Sequence, residues 1–433
     1  MDNKFISVSL DDIGDIITGR TPKTNEKDNY GNDYMFVTPT DLHKHFLIKK
    51  SERMVSTKGL ESIKSAIIDD MSILVGCIGW DMGNVGLVQE KCITNQQINA
   101  ITNIKDDFNP YYIYYLLKGK KDFFFQQASV TRTPILRKSV FSEIRINVPN
   151  KKYQDKIASI LSTLDKKIEL NNQINQKLES MAKTLYDYWF VQFDFPDANG
   201  NPYKNSGGKM VYSEELKREI PEGWESASLE SLVQVTKGGD WGKENIEDNF
   251  RKEVFCIRGA DFNGLNGKGE LKAPKRYISE KNTNKLLVSH DVIIEISGGS
   301  PTQSTGRLTF VTEETLSRFD KPIVCSNFCR AISLNEEKDL YYFIHTWNLL
   351  YDNNVMFGWE GKTSGLKNLL MNNMLKAVNI TIPSSDLIDK FYGFNKPLQA
   401  KKQKNLIENQ KLTQLRDLLL PMLMNGQVGV ESK

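Results

Sequence analysis

The tetrapeptide Asn-Gln-Lys-Leu occurs at Asn175–Leu178 and again at Asn409–Leu412, and the offset between the copies, 409 − 175 = 234, holds upstream without a gap. Pro149 falls on Pro383, closing "IRINVP" and "VNITIP", two alternating segments that read as strands. Asp155-Lys156 falls on Asp389-Lys390, Leu164 on Leu398, Asn171 on Asn405 and Leu185 on Leu419. A chance four-letter match does not extend in this way. Further upstream "VSLDDI" answers "ASLESL", "DMSILV" answers "DVIIEI" and "NPYYIYYLL" answers "DLYYFIHTW", with small gaps, as expected where loops differ in length. A duplicated chain must build the same unit twice, so each reading of one half is tested by the other.

The duplication divides the chain into a first domain at 1–150, a central helix at 151–190, a connector at 191–219, a second domain at 220–383, a distal helix at 384–426 and a tail at 427–433. The connector is placed on "DFPDANGNPYKNSGGK", rich in Gly, Asn and Pro, with "IPEGWE" opening the second domain. Within each half, short Val/Ile-rich runs alternate with Gly-containing turns and helical patterns, which predicts an α+β fold of two similar mixed domains. In the central helix a seam runs Ile157, Leu161, Leu164, Ile168, Asn171, Asn175, Leu178, Ala182, Leu185, in steps of four and three. That is a heptad pattern interrupted by two Asn. The distal seam is less regular, with Lys402 and Arg416 at seam positions. If the two equivalent helices pair antiparallel, Asn171 faces Asn409 and Asn175 faces Asn405, and the amides fix the register. A competing reading packs each helix on its own domain.

Bulk properties remove some classes of function. With 433 residues and 39% hydrophobic content the chain is long enough for folded cores. No apolar run approaches the roughly 20 residues of a membrane span, and "MDNKFISVSLDDIG" does not read as a signal peptide, so a cytoplasmic location is expected. The five cysteines, Cys77, Cys92, Cys256, Cys325 and Cys329, are odd in number and scattered, as reduced thiols would be. A net charge of +3 permits DNA binding without arguing for it.

Several fragments imitate catalytic motifs. "NPYY" at Asn109–Tyr112 is close to the Asn-Pro-Pro-Tyr of adenine-N6 methyltransferases but lacks the second Pro, and no Gly-rich cofactor loop follows a strand. "GKTSG" at Gly361–Gly365 has Met356 where a P-loop needs its first Gly. His43 and His45 are two apart but read as exposed loop residues, and no metal site is expected. No constellation for bond-making chemistry remains, so no catalytic residue and no cofactor of the chain's own is expected.

What does recur is a set of polar loops at corresponding places. In the first half they carry Thr18, Arg20, Thr21 and Lys23; Thr38 and Thr40; Trp80 and Asn84; Asn95 and Gln96; Thr131 and Arg132. In the second they carry Lys237, Trp241 and Lys243; Arg258; Ser300, Gln303 and Arg307; Asn327; Lys362 and Ser364. Arg and Lys suit phosphate or guanine, Asn and Gln suit adenine, and Ser or Thr suit either, so these are the candidate DNA contacts.

The order of parts resembles, over the whole chain, the specificity subunit of type I restriction-modification systems. The residues that carry the resemblance are "IPEGWE", the junctions "INVPNKKYQDKIASILSTLDKKIELNNQINQKL" and "ITIPSSDLIDKF", "LYDYWFVQF" after the central helix, and "LLLPMLMNGQV" near the C-terminus. The resemblance implies two target-recognition domains, each reading half of a split site in double-stranded DNA, on two helices paired antiparallel as a spacer. It implies separate modification subunits, two of them, that hold S-adenosylmethionine and methylate adenine, and a motor-nuclease subunit that joins for restriction. One departure is visible: where many members carry Glu-Gln at the junction, this chain has Tyr153-Gln154 and Leu387-Ile388. Two other readings stay open, a coiled-coil scaffold that never touches DNA and a self-sufficient methyltransferase.

Overall fold

The computed structural model describes residues 5–43, 46–130, 132–300, 302–363 and 366–427. It forms two compact units, Met1–Leu170 with Asn409–Lys433, and Asn171–Glu408.

In the first unit a four-stranded sheet runs in the order Asp15–Thr18, Ile98–Thr102, Ser72–Gly76, Val85–Val88, with all neighbours antiparallel. A second sheet runs Arg53–Val55, Tyr30–Val37, Cys92–Thr94, Ile67–Ile68 and contains one parallel pair, Tyr30–Val37 with Cys92–Thr94. The strand Ser72–Gly76 is buried on both faces because its side chains alternate between two cores. Ile73 and Val75 join Tyr112 and Tyr115 of the helix Pro110–Lys118, while Leu74 joins Met35 and Val37 of the other sheet. A strand covered on both sides reads as a continuous apolar run.

The second unit repeats this plan. One sheet runs Val233–Gly238, Cys329–Leu334, Val292–Glu295, Leu308–Phe310; the other runs Lys275–Ser279, Phe250–Ile257, Ile323–Cys325, again with its parallel pair, Phe250–Ile257 with Ile323–Cys325. Each globular part is closed by pairing its first strand with the strand before its long helix: Ile6–Ser9 with Arg145–Val148, and Glu225–Ser228 with Asn379–Ile382. The fold is α+β with the expected duplication.

The segment read as a connector is folded. Asp197 Oδ1 accepts from the backbone N–H groups of Asn199 and Asn201, both at 2.8 Å, and Asp194 takes that of Asn205 at 2.8 Å. Phe195 stacks between Tyr203 and Trp224, and Met210–Ser213 pairs with Arg218–Pro221 as a hairpin. The Gly- and Asn-rich composition therefore encodes tight turns with carboxylate caps.

The central helix is Lys151–Tyr186, continued by a wider turn at Asp187–Val191, and the distal helix is Ser385–Met424. Both are shared between the units. In the first, Ile157 and Leu161 of the central helix pack with Leu423 of the distal helix. Arg416 donates to Asp165 at 2.7 Å, and Tyr115 donates to the other oxygen of that carboxylate at 2.5 Å. In the second, Asn405 Nδ2 donates to Asn175 Oδ1 at 2.8 Å, Asn171 donates to Glu408 at 2.8 Å, and Lys402 pairs with Glu179 at 2.6 Å. As the number rises on one helix it falls on the other, so the segments run antiparallel. Lys402 and Arg416, which break the apolar seam, are thus the two cations that pair across it. A buried charge is tolerated only with such a partner.

Candidate nucleic-acid interface

The five polar loops of the first unit are brought together by backbone hydrogen bonds. Gly19 N–H donates to Ile98 O at 3.0 Å and Asn95 N–H to Val37 O at 3.3 Å, which joins the loops after Thr18, Val37 and Thr94. Cys77 N–H donates to Gln97 O at 2.7 Å and Gly79 N–H to Pro134 O at 3.0 Å, adding the turn after Gly76 and the hairpin Ser129–Ile135. Thr21 Oγ1 donates to Gln96 Oε1 at 2.7 Å, and Thr18 Oγ1 to Asn99 Oδ1 at 2.7 Å.

The second unit uses the corresponding atoms. Ser326 N–H donates to Ile257 O at 2.8 Å, Ile296 N–H to Phe328 O at 2.9 Å and Leu369 N–H to Ile296 O at 2.8 Å, the last matching Leu136 N–H to Cys77 O at 2.8 Å. Two close approaches recur as well. A Cβ on Gly19 would lie 2.2 Å from Asn95 O, and one on Gly239 would lie 1.9 Å from Ser326 O. Only glycine lets the backbones meet there. Five loops thus converge in each unit on one scaffold.

Beneath the loops, a carboxylate three residues beyond the first residue after a strand clamps the turn. Asp41 accepts from Thr38 N–H at 2.8 Å, as Asp261 accepts from Arg258 N–H at 3.0 Å. The first clamp also takes the Thr38 hydroxyl at 2.9 Å and Glu52 N–H at 3.0 Å. Sequence reasoning passed over both aspartates, although "TPTD" has the spacing of a capping box.

The candidate contacts divide by what already holds them. Lys237 forms a 2.7 Å pair with the fully buried Asp291, which also takes Ser333 Oγ at 2.6 Å and Val288 N–H at 2.8 Å. Arg258 grips Asp261 with Nε at 2.9 Å and Nη2 at 3.1 Å, and that pairing raises its pKa. Arg307 grips Glu295 with Nε at 2.8 Å and Nη2 at 2.9 Å. Asn84 accepts from Lys121 at 3.0 Å and donates to Asp81 O at 2.6 Å; Asn95 donates to Gln97 Oε1 at 2.8 Å. These side chains position the loops. Arg20, Thr40, Gln96, Arg132, Gln303 and Asn327 are exposed, as are Trp80 and Trp241, the latter under the Arg276 guanidinium at 4.3 Å. Lys23 and Lys243 are exposed in loose pairs with Glu26 at 3.2 Å and Glu247 at 3.6 Å. Thr38 shares its hydroxyl with Thr40 at 2.9 Å, and Ser300 Oγ accepts from Gln303 N–H at 3.1 Å. Thr131, Ser364, His45 and the side chain of Lys362 lie outside the described residues.

The catalytic look-alikes have structural roles. Asn109 of "NPYY" caps its helix, its Oδ1 accepting from Tyr111 N–H at 3.0 Å and Tyr112 N–H at 3.1 Å, while Nδ2 donates to Asp155 at 2.7 Å. Gly361 of "GKTSG" lies in the strand Glu360–Thr363, opposite Asn368, where a P-loop would turn into a helix. Cys325 and Cys329 are buried at strand ends, and burial pushes the Cys329 thiol up to about 12. His43 meets Asp81 at 2.9 Å. Among the described residues no helix is long and apolar enough to cross a membrane.

Residues 3–180, one domain with its helix, match the family described as "Type I restriction modification DNA specificity domain". The chain is 28% identical over 435 residues to the type I restriction enzyme MjaIX specificity subunit of Methanocaldococcus jannaschii, covering 98% of this chain and 93% of that one. It is 25% identical to the HindI specificity subunit of Haemophilus influenzae, covering 66% and 70%. The fold matches the crystal structure of a type I restriction-modification system S subunit from M. genitalium with a TM-score of 0.56 at 16% identity, over 98% of this chain and 96% of that chain.

Proposed function

The chain belongs to the family of specificity subunits of type I restriction-modification systems, the DNA target-recognition subunits, and from that premise we propose that each of its two loop clusters reads one half of a divided duplex-DNA site. The observation that supports this is the pairing of a common scaffold with different exposed side chains. The hydrogen bonds that converge the loops recur in both units, whereas the tips differ: Arg20 and Gln96 in one have Lys243 and Asn327 as counterparts in the other, and the turn that carries Trp80 is answered by a loop that carries Gln303. A rigid frame with exchangeable polar tips reads two sequences with one fold.

Methylation of adenine then falls to partner modification subunits that bind S-adenosylmethionine and accept the base extruded from the duplex. A motor-nuclease partner completes restriction. The chain supplies sequence choice and, through its antiparallel helices, the unread gap, and the assembly works in the cytoplasm.

Exchange of residues 1–150 for the equivalent domain of a relative, followed by sequencing of methylated adenines, is expected to change one half of the recognised site and leave the other. A change in both halves would show one composite site. Binding whose log affinity does not fall with log salt would favour the scaffold reading. Calorimetry on the isolated chain is expected to show no uptake of S-adenosylmethionine; uptake would favour the self-sufficient methyltransferase.

A further inference from the structure

Trp80 has 70% of its surface exposed, the highest value for any large apolar side chain among the described residues. Its surroundings hold it outward. Gly79 turns the chain at φ +104°, a conformation that favours glycine, and Met82 N–H closes the turn on Gly79 O at 3.2 Å. Met82 is buried, and Asp81 is tied to Lys121 at 2.5 Å and His43 at 2.9 Å. With the Phe125 ring tilted beside it at 6.1 Å, the indole stands on a turn tied down from several sides. The turn also lies between two polar loops, since Cys77 bonds Gln97 and Gly79 bonds Pro134. Gln96 and Arg132 therefore belong to the segments on either side.

An indole has one donor and no acceptor, so it discriminates base edges poorly. Its face stacks on any base, and apolar rings inserted at a base step unstack it. A base that leaves the duplex for methylation opens such a step. The second unit lacks this device at the corresponding place. Its loop at 296–305 is longer, carries Ser300, Thr302 and Gln303, and contains no aromatic residue.

We infer that Trp80 is a stacking wedge: on binding, its ring inserts against an unstacked base in the half-site read by the first unit, supplying affinity and local opening while its neighbours read edges. This rests on the DNA-reading function proposed above. A ring carried on a turn that is tied down costs less backbone ordering on insertion than one carried on a mobile loop.

The test uses the full chain assembled with its modification subunit and a duplex carrying the site mapped from genomic methylation. Thymines of the first half-site are replaced singly by 5-iodouracil, which photo-crosslinks to a stacked aromatic ring. The wedge predicts a cross-linked peptide containing Trp80. Trp80→Ala should weaken binding roughly 5- to 150-fold, with the slope of log affinity against log salt unchanged because no phosphate contact is lost. Trp80→Phe should restore most of the affinity. Because the side chain is exposed, folding is not at stake. Equal binding by W80A, or no cross-link at Trp80 while the wild type binds its site, overturns the wedge and leaves the reading of DNA standing. Loss of assembly with the modification subunit in W80A would make Trp80 a protein contact and also overturn it. Absence of sequence-selective binding by the wild-type complex would remove the premise itself.

Discussion

Gly83 and Gly306 close the same turn in the two units, yet the loops they close differ in length and in what they expose. Gly83 N–H bonds Gly76 O at 2.7 Å and Gly306 N–H bonds Glu295 O at 2.8 Å, at φ +88° and +97°. Between these anchors the first unit holds 77–82, with one exposed indole, and the second holds 296–305, with hydroxyl and amide groups. The duplication preserved backbone geometry and left the tips free. Anchors answer to sterics and buried hydrogen bonds, whereas tips answer only to what they bind.

The sharpest break in this comparison is at the helix pairs. Asp165 is buried and holds both Arg416 and the Tyr115 hydroxyl, so Asp165→Ala leaves the buried Tyr115 donor without its acceptor and Arg416 with only the exposed Asp417, and should cost about 3–5 kcal/mol. Glu179 is one-third exposed and shared between Lys402 and Lys268, so Glu179→Ala should cost less, about 1–3 kcal/mol. Denaturant unfolding of both variants measures the difference, and equal losses would show that the two units do not differ in this respect. Glycine replacement gives a smaller effect. Gly83→Ala and Gly306→Ala both strain positive-φ backbone, at about 1–3 kcal/mol each. The first should lose more stability, because a Cβ at Gly83 meets Lys121 O at 3.0 Å while one at Gly306 meets Met356 Cγ at 3.2 Å, part of a flexible side chain. Melting temperatures rank the two.

The smallest effect depends on pH. Position 345 corresponds to Tyr115, and His345 stacks on Tyr186 at 5.2 Å, where burial, with Lys183 adding to it, lowers its pKa from 6.5 to about 4. The unfolded chain therefore binds the proton more readily between pH 6.5 and 4. Stability from this group is complete above pH 6.5 and is lost as pH falls through that window. Asp339 acts oppositely. Burial first, then Glu336, raises its carboxyl to about 6, so the fold gains stability as pH falls below that value. The histidine contribution is read as wild type minus His345→Phe, and it should shrink by about 1 kcal/mol between pH 7.5 and 6. A difference that stays flat over this range would mean His345 titrates normally in the fold.

The junctions show how far the sequence can be read. Gln154 and Ile388 are equivalent by the offset of 234, and both are buried. Gln154 accepts from Asn109 N–H at 2.9 Å and donates to Pro149 O at 2.9 Å and Asp107 O at 3.2 Å. Ile388 enters an apolar cluster with Leu387 and Phe391. The departure from the family pattern at the second junction is thus a change from polar to apolar packing, legible only once the neighbours are known.

Repetition, alternation and heptad spacing are local patterns, and from them follow the duplicated α+β plan, the strand before each long helix, the facing of Asn175 and Asn405 on antiparallel segments, and the recurrence of polar loops in both halves, whereas the convergence of those loops rests on contacts between distant strands. Partner choice is not local. Lys237 and Asp291, Arg416 and Asp165, and the packing of Leu423 beside Leu161 join residues far apart in the chain. For that reason the loop list alone could not separate cations held by the fold from side chains free at the tips. It also could not show that each unit takes part of both long helices. A heptad shows which face of a helix is apolar, but only the folded chain decides which core that face completes.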